Sequence, residues 1–299
     1  MQQNLKKNKL MTVLALLSTT VLLGACSSAS NSSSDATTES SQTQKTDQEV
    51  ATEDAQTLLN ALLTSDDNGF SRLYGQSYDT WTEKEVFPVQ TEEAVSDNGW
   101  SPEEDYTFEY AVDSDALTPT QVVTNFLKSR RDNLKDIGEF EIKEVTVDGD
   151  QATITVESRH INNIAAANAV SNLYLILFDG NLDIFAGMNQ ANTLDAEFKK
   201  VQTLVSYFLY QANFDNLLVS YSDVPARLNE TPLTVNQYEV TFDLEKNDDG
   251  HWVISTENYR SLVSDFMNDG EKASEFVYPD GTEYQESGTE ESTTSNSSL

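Results

Sequence analysis

The chain has 299 residues, with 50 acidic against 18 basic side chains, a formal net charge of −32 and one cysteine. So negative a surface repels phosphate backbones and anionic lipid, which sets nucleic-acid binding aside. With no second thiol there is no disulfide, so the fold depends on its apolar core, and neither a cysteine zinc centre nor a His-x-x-x-His pair is present.

The N-terminus reads as a targeting segment. Lys6, Lys7 and Lys9 precede an uncharged run, Leu10 to Ala25, which is shorter than the roughly 20 apolar residues of a spanning helix. It ends in Leu23-Gly24-Ala25-Cys26. This arrangement resembles the lipobox of bacterial lipoprotein precursors. The resemblance implies that residues 1–25 are a signal peptide and that cleavage falls between Ala25 and Cys26. It also implies a diacylglyceryl thioether on Cys26, palmitate among its acyl chains, and attachment to the outer face of the cytoplasmic membrane. Two acyl chains, at about 0.8 kcal/mol per buried methylene, hold a protein stably where one does not. Removal of the three signal lysines leaves 15 basic against 50 acidic residues, a net −35. The sequence carries no outer-membrane sorting cue, and Ser27 gives no aspartate retention signal; with the resemblance, this implies a single-membrane, Gram-positive source.

Residues 26–50 are then the lipidated cysteine and a polar tether, too poor in apolar side chains to fold. About 24 such residues span about 25–30 Å r.m.s.. The first helix is expected from Glu53 to about Leu63, with Ala55, Leu58, Leu59 and Leu62 at helical spacing. Asp66-Asp67-Asn68-Gly69 breaks it, and Phe70, Leu73 and Tyr74 form a second short helix ended by Gly75. Residues 51–117 as a whole read as a helical and irregular part. Within them Trp81, Phe87, Trp100, Tyr106, Phe108 and Tyr110 supply packing, and Tyr106 to Tyr110 alternates like a strand.

Residues 118–278 are expected to form an α+β domain. Thr118-Pro119 with Gln121 is a capping box with proline at the first helical position. Val122, Val123, Phe126, Leu127 and Leu134 are its stripe, and Gly138 its stop. A hairpin follows: Phe140, Ile142, Val145 and Val147 lead to a turn at Asp148-Gly149, and Ala152, Ile154 and Val156 return. Helices are expected over Ile164 to Phe178, ending in an Asp179-Gly180 turn, and from Thr193 to Ala212. The second carries Leu194, Phe198, Val201, Leu204, Val205, Phe208 and Leu209 on one face. Asn213-Phe214-Asp215 breaks it, and Leu217, Leu218 and Tyr221 continue on a second piece. Strands over Val235 to Leu244 and at Trp252 and Ile254 flank an Asn247 to Gly250 turn, and a last helix holds Leu262, Val263 and Phe266. The similarity between residues 55–74 and 201–221 suggests an internal duplication. Residues 279–299 read as a disordered acidic tail.

Thr118 to Arg159 and Leu194 to Met267 together resemble cystatin-like and nuclear-transport-factor-two-like domains. The chain also resembles Gram-positive surface lipoproteins that carry such a domain. The resemblance implies amphipathic helices packed on curved antiparallel sheet, with a cone that can be open or filled. It implies no chemistry.

The residues themselves offer little chemistry. There is no Gly-x-Ser-x-Gly elbow, the only cysteine is taken by lipid, and no cofactor or metal is expected. An acidic loop from Glu245 has Asn247, Asp249 and Gly250 at calcium-loop positions but Thr256 where a bidentate glutamate is required, so it reads as a hairpin turn. His251 is expected to face away from the core. His160 shares the parity of Ala152, Ile154, Val156 and Ser158, so it can face a pocket. Two functions follow as expectations. The first is a non-catalytic module that binds a ligand or envelope protein. The second is a hydrolase or isomerase using His160 with a carboxylate, which requires an open cone holding that histidine.

Overall fold

The computed structural model describes residues 45–105, 116–177, 196–217, 227 and 229–285. Helix α1 (Asp47–Leu63) opens on a capping box in which the Thr46 hydroxyl accepts from Glu49 N and the Glu49 carboxylate accepts from Thr46 N at 2.7 Å. The helix therefore begins six residues before the expected Glu53. Residues 46–50, read from composition as tether, belong to the folded part: Gln48 Nε2 donates to Val145 O at 2.8 Å, and Val50 packs on the core. The Thr-x-x-Glu spacing was the overlooked signal.

Helix α2 (Phe70–Tyr74) closes on Gly75 at φ +72°. The stretch after it, opaque in sequence, is largely helical. Helix α3 (Tyr78–Trp81), a π turn at Thr82–Val86 and helix α4 (Phe87–Asp97) follow without a break. Pro88 explains the π turn. It has no amide hydrogen, and its ring crowds the carbonyl four residues earlier, so the helix widens just before it instead of ending. Helix α5 (Pro119–Leu134) has the expected capping box, with Gln121 Oε1 accepting from Thr118 N at 2.8 Å. It runs through a short 3₁₀ turn, Lys135–Ile137, to Gly138 at φ +73°, whose amide donates to Leu63 O at 2.8 Å. A Cβ at this left-handed position costs about 1–2 kcal/mol. Gly138→Ala should lower the urea-unfolding free energy by that amount; an unchanged value would mean that the turn relaxes.

Strands β1 (Phe140–Asp148) and β2 (Gln151–Asn162) form the expected hairpin, with Asp148 paired to Gln151. The turn residues are thus Gly149 and Asp150, one position later than read from sequence. Gly149, at φ +62°, supplies the positive φ that a two-residue turn needs at its first central position. A bulge at Lys143, between Ile142 and Glu144, explains a break in parity along β1. It lets Phe140 and Ile142 pack on the same core as Val145 and Val147.

Helices α6 (Asn163–Leu177) and α7 (Ala196–Phe214) follow, and Asn216 at φ +56° ends α7. Strand β3 (Leu233–Lys246) pairs antiparallel with β2 and carries β4 (Trp252–Val253) at its far end. After helix α8 (Thr256–Asp265), capped by Ser255, come β5 (Met267–Asn268), β6 (Glu275–Val277) and β7 (Glu283–Gln285). The sheet order is β1-β2-β3-β6-β7, with β5 joined parallel to β2. The class is α+β with an antiparallel open sheet, as the alternation and helix periodicity indicated. Residues 279–285, assigned from composition to the tail, include β7, whose Tyr284 stacks on Phe276 at 4.5 Å.

One sheet face is apolar. Ala152, Ile154, Val156, Val240, Phe242, Leu244 and Trp252 bury against Ala51, Ala55, Leu58 and Leu62 of α1 and the rings of Phe70, Tyr78, Trp81, Tyr259 and Phe266. The other face is polar, with Thr153 donating to Asp243 at 2.7 Å and Thr155 meeting Thr241 at 3.2 Å. A second core joins α4, α5, α6 and α7 through Val95, Trp100, Val122, Val123, Leu173, Leu204, Phe208 and Leu209. Residues 51–117 and 118–278, read as separate parts, lie in a single compact unit. The Tyr106 to Tyr110 alternation, the Asp179-Gly180 turn, Leu194, and Leu218 and Tyr221 at the end of the suggested duplication lie outside the described residues. Among the described residues no helix is long and apolar enough to cross a membrane.

Candidate functional site

Two open clefts flank α4. The first lies between α4 and α5, has a volume of about 590 Å³, and is mostly apolar. Phe87, Pro88, Val95, Trp100 and Pro102 form its walls. Its construction follows from local rules. Thr91 and Val95 sit four apart on one face of α4, and Thr120 and Thr124 four apart on α5, because Thr118 and Pro119 set the start of that helix. The Thr91 and Thr124 hydroxyls meet at 3.2 Å. Glu83 lines the cleft while its carboxylate faces Lys128 at 3.2 Å and Arg131 at 3.5 Å. The size falls within the 300–1,000 Å³ typical of small-molecule sites. The lining holds the carboxylates of Glu83 and Glu92 and the hydroxyls of Thr91, Ser96, Thr120 and Thr124, and no histidine, cysteine or lysine. The sequence reading missed this cleft, although the Phe87, Thr91, Val95 spacing that builds its α4 wall was present.

The second cleft, about 530 Å³, lies among α4, α5, α7 and α8.

His160 lines neither cleft. It is 4% exposed and lies between the rings of Tyr238 at 5.3 Å and Phe266 at 5.4 Å. Its amide donates to Thr234 Oγ1 at 2.9 Å, filling a gap where the β2–β3 register shifts between Arg159 and Ile161. Its Nε2 and Ser158 Oγ are buried without a hydrogen-bond partner. Burial pushes its pKa down to about 4, against the opposing pull of a backbone hydrogen bond at Tyr238 and of Glu271. The Glu271 carboxylate is itself occupied, accepting from Val235 N at 2.7 Å and Tyr238 Oη at 2.8 Å.

His251, expected to face away from the core, is instead half-buried, its side chain 27% exposed, and lies against the buried carboxylate of Asp54. Its Nδ1 lies 3.3 Å from Asp54 Oδ2, and the same carboxylate accepts from Trp252 N at 2.9 Å and from Arg72 at 3.3 Å. Asp54 is 1% exposed. The correction has a simple cause: the strand parity behind the expectation ignores α1, which brings Asp54 under the hairpin. In sequence, Asp54 lies three residues after Ala51 and four before Leu58, on the apolar face, and that placement was the available signal. The Asn247 to Gly250 segment is a hairpin turn, with Asn247 Oδ1 accepting from His251 N at 2.9 Å and Asp249 N at 3.1 Å. Among the described residues no group of three or more histidine, cysteine, aspartate or glutamate side chains could hold a metal ion. Ala25 and Cys26 lie outside the described residues.

The fold is α+β, with an antiparallel sheet on one side, a helical layer on the other and two clefts beside α4. No protein-family model matches the chain, and no curated protein matches it. Among solved structures, it is similar to a candidate lipoprotein, ycdA, from Bacillus subtilis, with 12% identity and a TM-score of 0.41. The match covers 74% of this chain and 56% of that one, so the chain spans little more than half of the length of that protein. A likeness of that size speaks neither to fold nor to role.

Proposed function

We propose that the chain is the precursor of a lipid-anchored envelope protein, cut between Ala25 and Cys26, whose folded domain is a non-catalytic binding module on the outer face of a Gram-positive cytoplasmic membrane. The observation that carries the anchor is Leu23-Gly24-Ala25-Cys26 at the end of an uncharged run behind three lysines. Palmitate fed to cells should label the wild type and leave Cys26→Ser unlabelled; label retained in the variant would defeat the anchor. Helix α1 laid on the apolar face of the sheet supports the likeness to cystatin-like domains. The fully buried side chains between helix and sheet are those of a filled cone.

The cleft beside Trp100 supports ligand or partner binding, because its walls are apolar and a few hydroxyls and carboxylates stand among them to orient what binds. A benzophenone side chain placed at Glu92, on this cleft, should give a discrete crosslinked adduct in intact cells. The same group at Glu239, on the polar sheet face, should give none. Equal yield from both positions, or no adduct from either, counts against the cleft as the binding surface.

A further inference from the structure

The second cleft differs from the first in its charge. In a chain with 18 basic residues against 50 acidic ones, it brings two arginines, Arg130 of α5 and Arg260 of α8, onto one concavity. Among the described residues no carboxylate lies within ion-pair range of Arg130. Its guanidinium instead stands 5.9 Å over the Phe126 ring, which stacks on Tyr207 at 4.5 Å and 13°. Arg260 pairs with Glu93 at 2.7 Å, but both partners are more than 40% exposed, so that pair is weak and exchangeable. Ser261, Ser264 and Val263 complete the α8 wall, and Glu257 stands on the same helix.

We propose that the cleft among α4, α5, α7 and α8 is a binding site for a small organic acid with an aromatic or apolar body, held by Arg130 and Arg260 over the stacked Phe126–Tyr207 pair. The chemistry is complementary at each point. A guanidinium presents paired N–H donors that match a carboxylate, and it does so without protonation changes. The stacked rings offer an apolar floor next to the charge, which favours a ligand whose anionic and apolar parts are adjacent. The acidic exterior disfavours such a ligand, and the two arginines offset that field locally, so the pairing favours binding at this place. Glu257 and Glu93 set a limit on ligand charge, favouring a monoanion over a polyphosphate. The inference rests on the reading of the domain as a binding module and is independent of the anchor.

The test uses the full chain in phosphatidylcholine vesicles, titrated calorimetrically with 4-phenylbutyrate, its amide and 4-phenylbutylamine. The acid should bind, and the amide and amine should bind at least about tenfold more weakly. Arg130→Gln should weaken the acid by about tenfold or more, and Arg260→Gln by less because Glu93 already competes for it. Lys143→Gln, which makes the same charge change on the distant sheet, should leave affinity unchanged. Arg130→Lys should recover part of the loss, and a thermal melt establishes that each variant is folded. Equal binding of acid and amide, no binding of the acid, or equal losses in Arg130→Gln and Lys143→Gln would each overturn the proposal. Failure of palmitate labelling would leave these results unaffected, and a null titration would leave the anchor intact.

Discussion

Asp54→Ala should lower the unfolding free energy by about 3 kcal/mol, one of two comparable stability losses expected from buried ionisable groups. The carboxylate is 1% exposed and serves three elements at once: α1 carries it, Arg72 of α2 approaches it, and the β3–β4 hairpin supplies Trp252 N and His251. Its removal leaves the Trp252 amide, in the middle of the core, without an acceptor, which alone costs about 1–3 kcal/mol. Arg72, with a side chain 56% exposed, regains water and contributes little to the loss. Asp54→Asn keeps an acceptor for Trp252 N and should cost about 1–2 kcal/mol. Urea unfolding at about pH 7 measures both. A loss below about 1 kcal/mol in the alanine variant would show that the cluster does not couple the hairpin to α1.

Acidification should destabilise the protein through His160. Its imidazole is held neutral by burial, with a folded-state pKa of about 4, whereas in the unfolded chain it takes a proton near its ordinary value of about 6.5. The unfolded state therefore binds more protons between those values. The stability contributed by the neutral ring is fully present above about pH 6.5 and is lost as pH falls through about 4. The loss reaches about 3 kcal/mol at the acid end. His160→Leu removes the titration and keeps an apolar side chain against Tyr238 and Phe266. Its unfolding free energy should fall less steeply between about pH 7 and about pH 4.5 than that of the wild type. Parallel curves would mean that the ring is hydrated in the folded protein. Carboxylates such as Glu271, held below the usual range by hydrogen bonds from Tyr238, Val235 and Asn236 that outweigh burial, lose their contribution only at the acid end and do so in both proteins.

The elements read correctly from sequence share a property: the residues that decide them are neighbours in the chain. Thr118, Pro119 and Gln121 cap α5 by bonds that span three residues. Gly75 and Gly138 stop their helices because a positive φ is needed at that one position. The alternation of Ala152, Ile154 and Val156 sets the buried face of β2 because the side-chain period is two. The errors also had local causes. Composition hid the Thr46–Glu49 capping box, and the stretch read as irregular is largely helical because a π turn lets the helix run on past Pro88.

The sequence by itself determined the helix caps, the core hairpin, the α+β class and, through the lipobox pattern at Cys26, the expectation of an anchor. Only the tertiary structure decided the sites. Asp54 and His251 are 197 positions apart, and Arg130 and Arg260 come from α5 and α8, with most of the sheet between them in the chain. No periodicity reports such pairs, because periodicity describes which face of an element is buried and not which element covers it. The same reason separates His160 from the role its parity suggested. Alternation placed it on the inner face, and packing by Tyr238 and Phe266 made that face solid.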